Sequence, residues 1–66
     1  MGVASTVTYI LVNRGYLVDI PTNGDGLVVT LPHRLVSVEE VEAILGDLVF
    51  PGEVFKHNYT IAIMFY

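Results

Sequence analysis

The sequence predicts a small α+β domain of order β-β-β-α-β, in which a mainly antiparallel sheet carries one amphipathic helix on one face. Two observations support this prediction. Short segments rich in β-branched and aromatic residues are separated by turns of Gly, Pro and Asn, a pattern typical of strands. One later segment changes to the 3.6-residue period of a helix. A chain of 66 residues is the size of a single domain, so we assign residues 1–66 to one unit.

Three strands are predicted in the first half of the chain. Residues 6–12 (TVTYILV) and 16–20 (YLVDI) are rich in strand-forming side chains and form a hairpin around the turn at 13–15. The loop 22–26 (TNGDG) consists of residues that tolerate left-handed backbone. The third strand is 27–31 (LVVTL), which a proline ends.

The single predicted helix begins after Ser37. Ser37 and Glu40 have the spacing of a capping box, in which each side chain accepts a hydrogen bond from the backbone N–H of the other residue. Acidic residues in the first turn also suit the positive end of the helix dipole. One apolar stripe is expected to face the sheet, and its members are Val38, Val41, Ile44, Leu45, Leu48 and Val49.

The last segment, 53–66, alternates with period two and is predicted to be a strand. We prefer one long or bent strand. The alternative, in which His57 and Asn58 turn the chain and divide the segment into two strands, stays open. The apolar character of 58–66 (NYTIAIMFY) favours a position inside the sheet over a solvated edge.

One helix can cover only one face of the sheet, so the alternation predicts a second, uncovered face. The covered face is predicted to carry Tyr16, Val18, Ile20, Leu27, Val29, Leu31, Ile61, Ile63 and Phe65. A contiguous apolar patch on a small domain commonly marks an interaction site. We therefore expect the uncovered face to bind a partner through Leu17, Val28, Thr60, Ala62, Met64 and Tyr66. Which side of the first strand is buried stays open.

Composition and charge narrow the class of function. The chain has no cysteine and two histidines, so we expect no disulfide, no metal and no cofactor. The net charge is −4, and Arg14, Arg34 and Lys56 are scattered, which argues against nucleic-acid and membrane partners. No apolar run approaches the ~18 residues that span a bilayer. Without cysteine or a basic leader, a cytoplasmic protein is expected.

Two polar segments suggest alternative binding chemistry. Asn23 and Asp25 are spaced like part of a calcium loop, but no Glu follows at the required distance, so a plain loop is the better interpretation. His33 and Arg34 precede the helix N-terminus, where a small anion or carboxylate is a candidate ligand. The plainer interpretation is that Arg34 pairs with a Glu of the helix.

A third segment suggests catalysis. His57 paired with Glu53 or Asp19 is a candidate acid–base couple. No nucleophile accompanies it, and a chain of 66 residues builds a pocket with difficulty unless subunits share it.

These observations predict a small acidic protein-interaction module of adaptor or inhibitor type, which is not an enzyme. Its partner is another protein or a second copy of itself in a homo-oligomer. By association only, its size and acidity match proteins of viruses and mobile elements. Two alternatives remain: a small oligomeric enzyme or ligand-binding protein with a site shared between subunits, and an acidic mimic of nucleic acid.

Overall fold

The computed structural model describes residues 2–21, 26–46 and 48–66, and these form two helices and a four-stranded antiparallel sheet. The elements in chain order are α1 (Val3–Asn13), β1 (Leu17–Asp19), β2 (Leu27–Thr30), α2 (Val38–Leu45), β3 (Gly52–His57) and β4 (Thr60–Phe65). The predicted α+β class with an antiparallel sheet is confirmed. The calcium-loop hypothesis on Asn23 and Asp25 lies outside the described residues.

The sheet has the strand order β1-β2-β4-β3, so β2 and β4 form its centre. In their register, Leu27 is opposite Ile63 and Val29 is opposite Ile61. All four side chains lie on one face and are almost completely buried. The central pair of strands therefore supplies the sheet side of the hydrophobic core.

Both helices cover this same face. Helix α1 packs against β1 and α2, and α2 packs against β3. The described chain measures 30 × 27 × 17 Å, and its thin dimension is that of one helical layer on one sheet. The buried core residues are Val7, Leu11, Tyr16, Leu27, Val29, Val36, Val41, Leu45, Ile61 and Ile63.

The predicted covered face is confirmed for its central residues, and Val18, Leu31 and Phe65 pack at its margin. Ile20 is the exception, because its side chain is 72% exposed. Strand β1 ends at Asp19, so the strand alternation no longer sets the direction of the residue that follows.

The prediction of a strand over 6–12 is wrong, because this segment lies inside α1. Its β-branched residues favour a strand, but such preferences amount to only ~1 kcal/mol and are overridden by burial. In helical form Val7 and Leu11 lie one turn apart on the same side, and both are fully buried. The covered face therefore has two helices where the sequence predicted one.

Helix α1 ends in a Schellman motif. The backbone N–H of Tyr16 donates to the Leu11 carbonyl at 3.1 Å, and that of Gly15 donates to the Val12 carbonyl at 3.0 Å. Gly15 has φ +91°, in the left-handed region that favours glycine. Leu11 and Tyr16 are both buried in the core cluster, which supplies the hydrophobic contact typical of this motif.

The preferred single strand over 53–66 is also wrong, and the alternative with two strands is observed. A tight turn at Asn58 and Tyr59 joins β3 to β4, with Asn58 at φ 56°, which Asn tolerates better than most residues. Because two residues form the turn, the alternation changes phase across it. Phe55 is consequently paired with Ala62 and lies away from the helices.

The predicted start of α2 is confirmed. The backbone N–H of Glu40 donates to Ser37 Oγ at 3.1 Å, and the N–H of Ser37 donates to Glu40 Oε1 at 3.0 Å. The helix is shorter than its apolar stripe suggested, since it ends at Leu45 with Gly46 at φ 52°. Val49, predicted to lie on the buried stripe, is 93% exposed because it follows the helix end.

The end of α1 provides the first test of this fold. Gly15→Ala places a Cβ on a left-handed residue, which should lower the free energy of unfolding by about 1 kcal/mol. Gly15→Asn is the matched control, because Asn adopts the left-handed conformation more readily than Ala and is also found at this position of helix ends. Thermal melts followed by circular dichroism should show the larger loss for Gly15→Ala. Equal melting temperatures for the two variants would contradict the Schellman motif.

The capping box provides the second test. Ser37→Ala removes one cap hydrogen bond and should cost about 1 kcal/mol, which for a domain of this size lowers the melting temperature by about 4–8 °C. Ser5→Ala, on the exposed side of α1, is the control and should not lower it, since Ala is the better helix former. If both variants melt like the unmodified protein, the cap does not stabilise α2.

Candidate partner-binding face

The face of the sheet that turns away from both helices is the candidate site, and we call it the open face. Because side chains alternate along each strand, its members follow from the register of the four strands. They are Leu17 and Asp19 of β1, Val28 and Thr30 of β2, Glu53, Phe55 and His57 of β3, and Thr60, Ala62 and Met64 of β4.

The register brings the predicted contact residues together. Val28 is directly opposite Ala62, and both are half-buried at the centre of the sheet. Met64 is 36% exposed and Leu17 is 52% exposed, and they lie on opposite sides of this centre. Thr60, also half-buried, completes the set within the strands.

Tyr66 lies just beyond β4, at the margin of the open face. Its backbone N–H donates to the Pro51 carbonyl at 2.9 Å, and its side chain is 78% exposed. The Glu53 carboxylate accepts a hydrogen bond from its hydroxyl and, with some desolvation, raises the pKa of Tyr66. Tyr66 is therefore held against the edge strand β3.

Phe55 belongs to the open face and was missed by the sequence prediction. Its partner Ala62 places it at the end of the central apolar row, in which Ala62 lies between Phe55 and Val28. The signal that identifies it is the two-residue turn at Asn58, since the alternation alone groups Phe55 with the buried Ile61 and Ile63. The apolar surface consequently extends to the β3 edge of the sheet.

Charge on the open face is confined to its two edges. Asp19 lies on the edge strand β1 and Glu53 on the edge strand β3. The central strands contribute only apolar side chains and threonine to this face. This distribution, with an apolar centre and a polar rim, is the usual anatomy of a protein–protein interface.

The anion-site hypothesis at Arg34 is not supported, and the plainer interpretation is confirmed. Both terminal nitrogens of the Arg34 guanidinium donate to the Glu40 carboxylate at 2.8 Å, which is a bidentate ion pair. The same carboxylate accepts hydrogen bonds from the Tyr16 hydroxyl and from the Ser37 backbone N–H. The pKa of Glu40 is held well below its usual range, first by Arg34 and then by Tyr16 and Ser37.

The proposed acid–base couple of His57 is not formed. His57 is paired with Thr60 at the turn, and Glu53 lies four residues along the same strand, about 13 Å away at the usual rise. Asp19 is on β1, at the opposite edge of the sheet. His33, the other histidine, is exposed in the connection between β2 and α2.

Within residues 2–21, 26–46 and 48–66, no three side chains of His, Cys, Asp or Glu cluster as they would around a metal ion. Neither helix in these ranges has the length and apolar character needed to cross a membrane.

Comparison with protein-family models, with curated proteins and with solved structures finds no match to this chain.

The Glu40 cluster predicts a pH dependence of stability. A carboxyl whose pKa is lowered on folding stabilises the native state above its unfolded pKa of about 4.3, and this contribution disappears as the pH falls through the folded value. The melting temperature should therefore fall as the pH is lowered from about 5 to about 2. Glu40→Gln should have a lower melting temperature than the unmodified protein at neutral pH. Its melting temperature should also fall less when the pH is lowered.

The control for this experiment is Glu42→Gln, which changes an exposed carboxyl on the same helix. It should retain the acid sensitivity of the unmodified protein, because the described residues give Glu42 no hydrogen bond comparable to those of Glu40. Parallel melting curves for the unmodified protein and Glu40→Gln at every pH would contradict the stabilising role of the cluster.

Proposed function

We propose that the protein acts by binding another protein through its open face, as an adaptor or an inhibitor, and not by catalysis. The observation that carries the proposal is the apolar centre of a sheet face that no described element covers. Val28 and Ala62 lie at that centre, with Phe55, Met64 and Leu17 around them. An antiparallel sheet with one solvated face normally alternates apolar and polar residues cleanly, and this one does not.

The side chains of the open face are of the types that contribute to association. Each square ångström of apolar surface removed from water stabilises a complex by roughly 25 cal/mol, before the cost of association is subtracted. Phe55 supplies a large rigid ring, while Met64 adapts its shape to the partner. A partner that covers the central row of Val28, Ala62 and Phe55 therefore removes more apolar surface from water than a partner that touches only the edges.

The charges at the rim indicate the chemistry of the partner. Asp19 and Glu53 flank the apolar centre from opposite edges, and the whole chain has a net charge of −4. The surface of a fitting partner presents apolar side chains bordered by Lys or Arg. Such complementarity raises the association rate and disfavours partners of like charge. The cytoplasm is the compartment we propose, since a domain without cysteine forms no disulfide and needs no oxidising compartment.

A pair of substitutions in β4 tests this function. Met64→Asp should keep a native circular dichroism spectrum, because the side chain is on the open face, and should weaken partner binding about tenfold or more. Ile61→Asp should unfold the protein, since an unpaired carboxylate in the core costs more than a small domain can offset. The reverse outcome would show that the two faces are exchanged.

Binding is measured in two steps. Immobilised unmodified protein, Met64→Asp and Val49→Asp are first compared in capture from native lysate, and a protein lost only from Met64→Asp is then purified and titrated. Val49→Asp is the matched control, because it introduces the same charge at an exposed apolar residue outside the open face. If the three baits retain the same proteins, or retain none, the open face is not a binding surface.

A further inference from the structure

The side chains of the open face are small at its centre and larger at its edges. The two central strands contribute Val28 and Thr30 from β2 and Thr60 and Ala62 from β4, and none of these side chains is larger than that of valine. All four are half-buried, although no described element lies over them. We call this strip of four residues the central trough.

The two edge strands supply the walls of the central trough. The wall on β1 consists of Leu17 and Asp19, and the wall on β3 consists of Glu53 and Phe55. Each wall therefore has one large apolar side chain and one carboxylate. Neighbouring strands are about 4.8 Å apart, so the two walls are separated by about 14 Å. Met64 lies at one end of the trough, opposite Glu53.

We propose that the central trough binds an amphipathic α-helix of the partner, whose apolar stripe lies in the trough and whose two flanks carry Lys or Arg. This inference rests on the proposed function, because it names the element through which the partner contacts the open face. An α-helix with its side chains is about 10–12 Å in diameter, which fits between walls about 14 Å apart. An amphipathic helix in an apolar groove is a recurring mode of recognition.

Backbone hydrogen bonding favours a helix over an extended segment. Strands β2 and β4 each have a neighbouring strand on both sides, so their backbone donors and acceptors are used within the sheet. The centre of the open face consequently offers no backbone group to a peptide that lies on it. An extended segment would leave its own buried N–H and C=O groups unpaired there, whereas a helix pairs them internally.

The shape of the open face favours a helix over the flat face of a second sheet. Two sheets that pack face to face stay about 10 Å apart over the whole contact. With Leu17 and Phe55 in contact at the edges, a flat partner would leave space above Val28 and Ala62, and such voids forfeit packing energy. A second copy docked face to face has the same defect, because its small centre would lie over the other small centre. A rounded helix instead projects furthest into the middle.

Charge complementarity determines which side chains suit the flanks of the bound helix. Asp19 lies on one wall and Glu53 on the other. A Lys or Arg on each flank can pair with the carboxylate on its side, while its aliphatic stem packs on Leu17 or Phe55. The Glu53 carboxylate already accepts a hydrogen bond from Tyr66 and has lone pairs for a further donor. A helix with acidic flanks is disfavoured by both walls.

The length of the trough determines the length of the helix. The six residues of β4 extend about 20 Å, which corresponds to about 13 helical residues, or nearly four turns. A footprint of about 20 by 14 Å is smaller than the standard interface of about 800 Å² per partner, so we expect a transient complex with a micromolar dissociation constant.

The probes are three labelled peptides of about 14 residues, each titrated with the full chain and followed by fluorescence anisotropy. The first has Leu on one side and Lys on the flanks at the helical period. The second replaces every Lys with Glu, and the third has the composition of the first in the period-two order of a strand. The first should bind with a micromolar dissociation constant, and the other two should bind about tenfold more weakly or worse.

Ala62→Leu distinguishes a trough from a flat apolar surface. The substitution adds apolar area but fills the centre, so it should weaken binding of the first peptide about tenfold and leave the circular dichroism spectrum native. Ala43→Leu is the matched control, because it makes the same exchange at an exposed residue of α2, and it should bind like the unmodified protein. Thr30→Leu fills the trough from β2 and serves the same purpose if Ala62→Leu does not fold.

The two carboxylates are tested separately. Asp19→Asn and Glu53→Gln should each weaken binding of the first peptide about two- to fivefold and reduce its salt dependence, as expected for exposed ion pairs. Glu42→Gln removes an exposed carboxylate from α2 and should change neither quantity, which excludes a general effect of net charge.

Three results would overturn the helix assignment. They are no binding of the first peptide, equal affinities for the first and third peptides, and unchanged or tighter binding by Ala62→Leu. The proposed function fails by a different result, since it is contradicted when Met64→Asp retains every protein captured from lysate. If a captured protein is lost from Met64→Asp but retained by Ala62→Leu, the open face binds its partner without a helix, and only the helix assignment falls.

Discussion

The antiparallel pairing of β2 with β4 is the contact on which the rest of the structure depends. Its register aligns Leu27 with Ile63 and Val29 with Ile61, so four large side chains point to one side. A slip of one residue would move a whole strand's apolar set to the other face, which is why burial specifies the register strongly. Both helices must then lie on that side, and the described chain has no third element to cover Val28 and Ala62 behind them.

A single carboxylate joins the pieces at the margin of this core. The Glu40 carboxylate accepts a hydrogen bond from the Ser37 backbone N–H at the start of α2 and pairs with Arg34 of the preceding connection. It also accepts a hydrogen bond from the hydroxyl of Tyr16, at the end of the Schellman motif. It therefore links both helices without a charge being placed in the core. The Arg34 guanidinium, which the sequence suggested as a ligand for a small anion, already binds the Glu40 carboxylate.

The sequence predicts correctly wherever local signals and burial agree, as in β2, at the start of α2 and in the faces of β4. It fails in 6–12, where strand-forming residues occupy a helix because packing outweighs propensity. Leu11, Gly15 and Tyr16 have the spacing of a Schellman motif and were the available signal for that helix. The sheet edge at Phe55 was missed for another reason, since a two-residue turn changes the phase of an alternation without interrupting it.

The carboxylates at the rim of the open face bear on the kind of partner that we propose for it. Asp19 and Glu53 lie at opposite edges of its apolar centre. In the proposed complex they would favour a partner with Lys or Arg around an apolar surface and disfavour a second acidic copy.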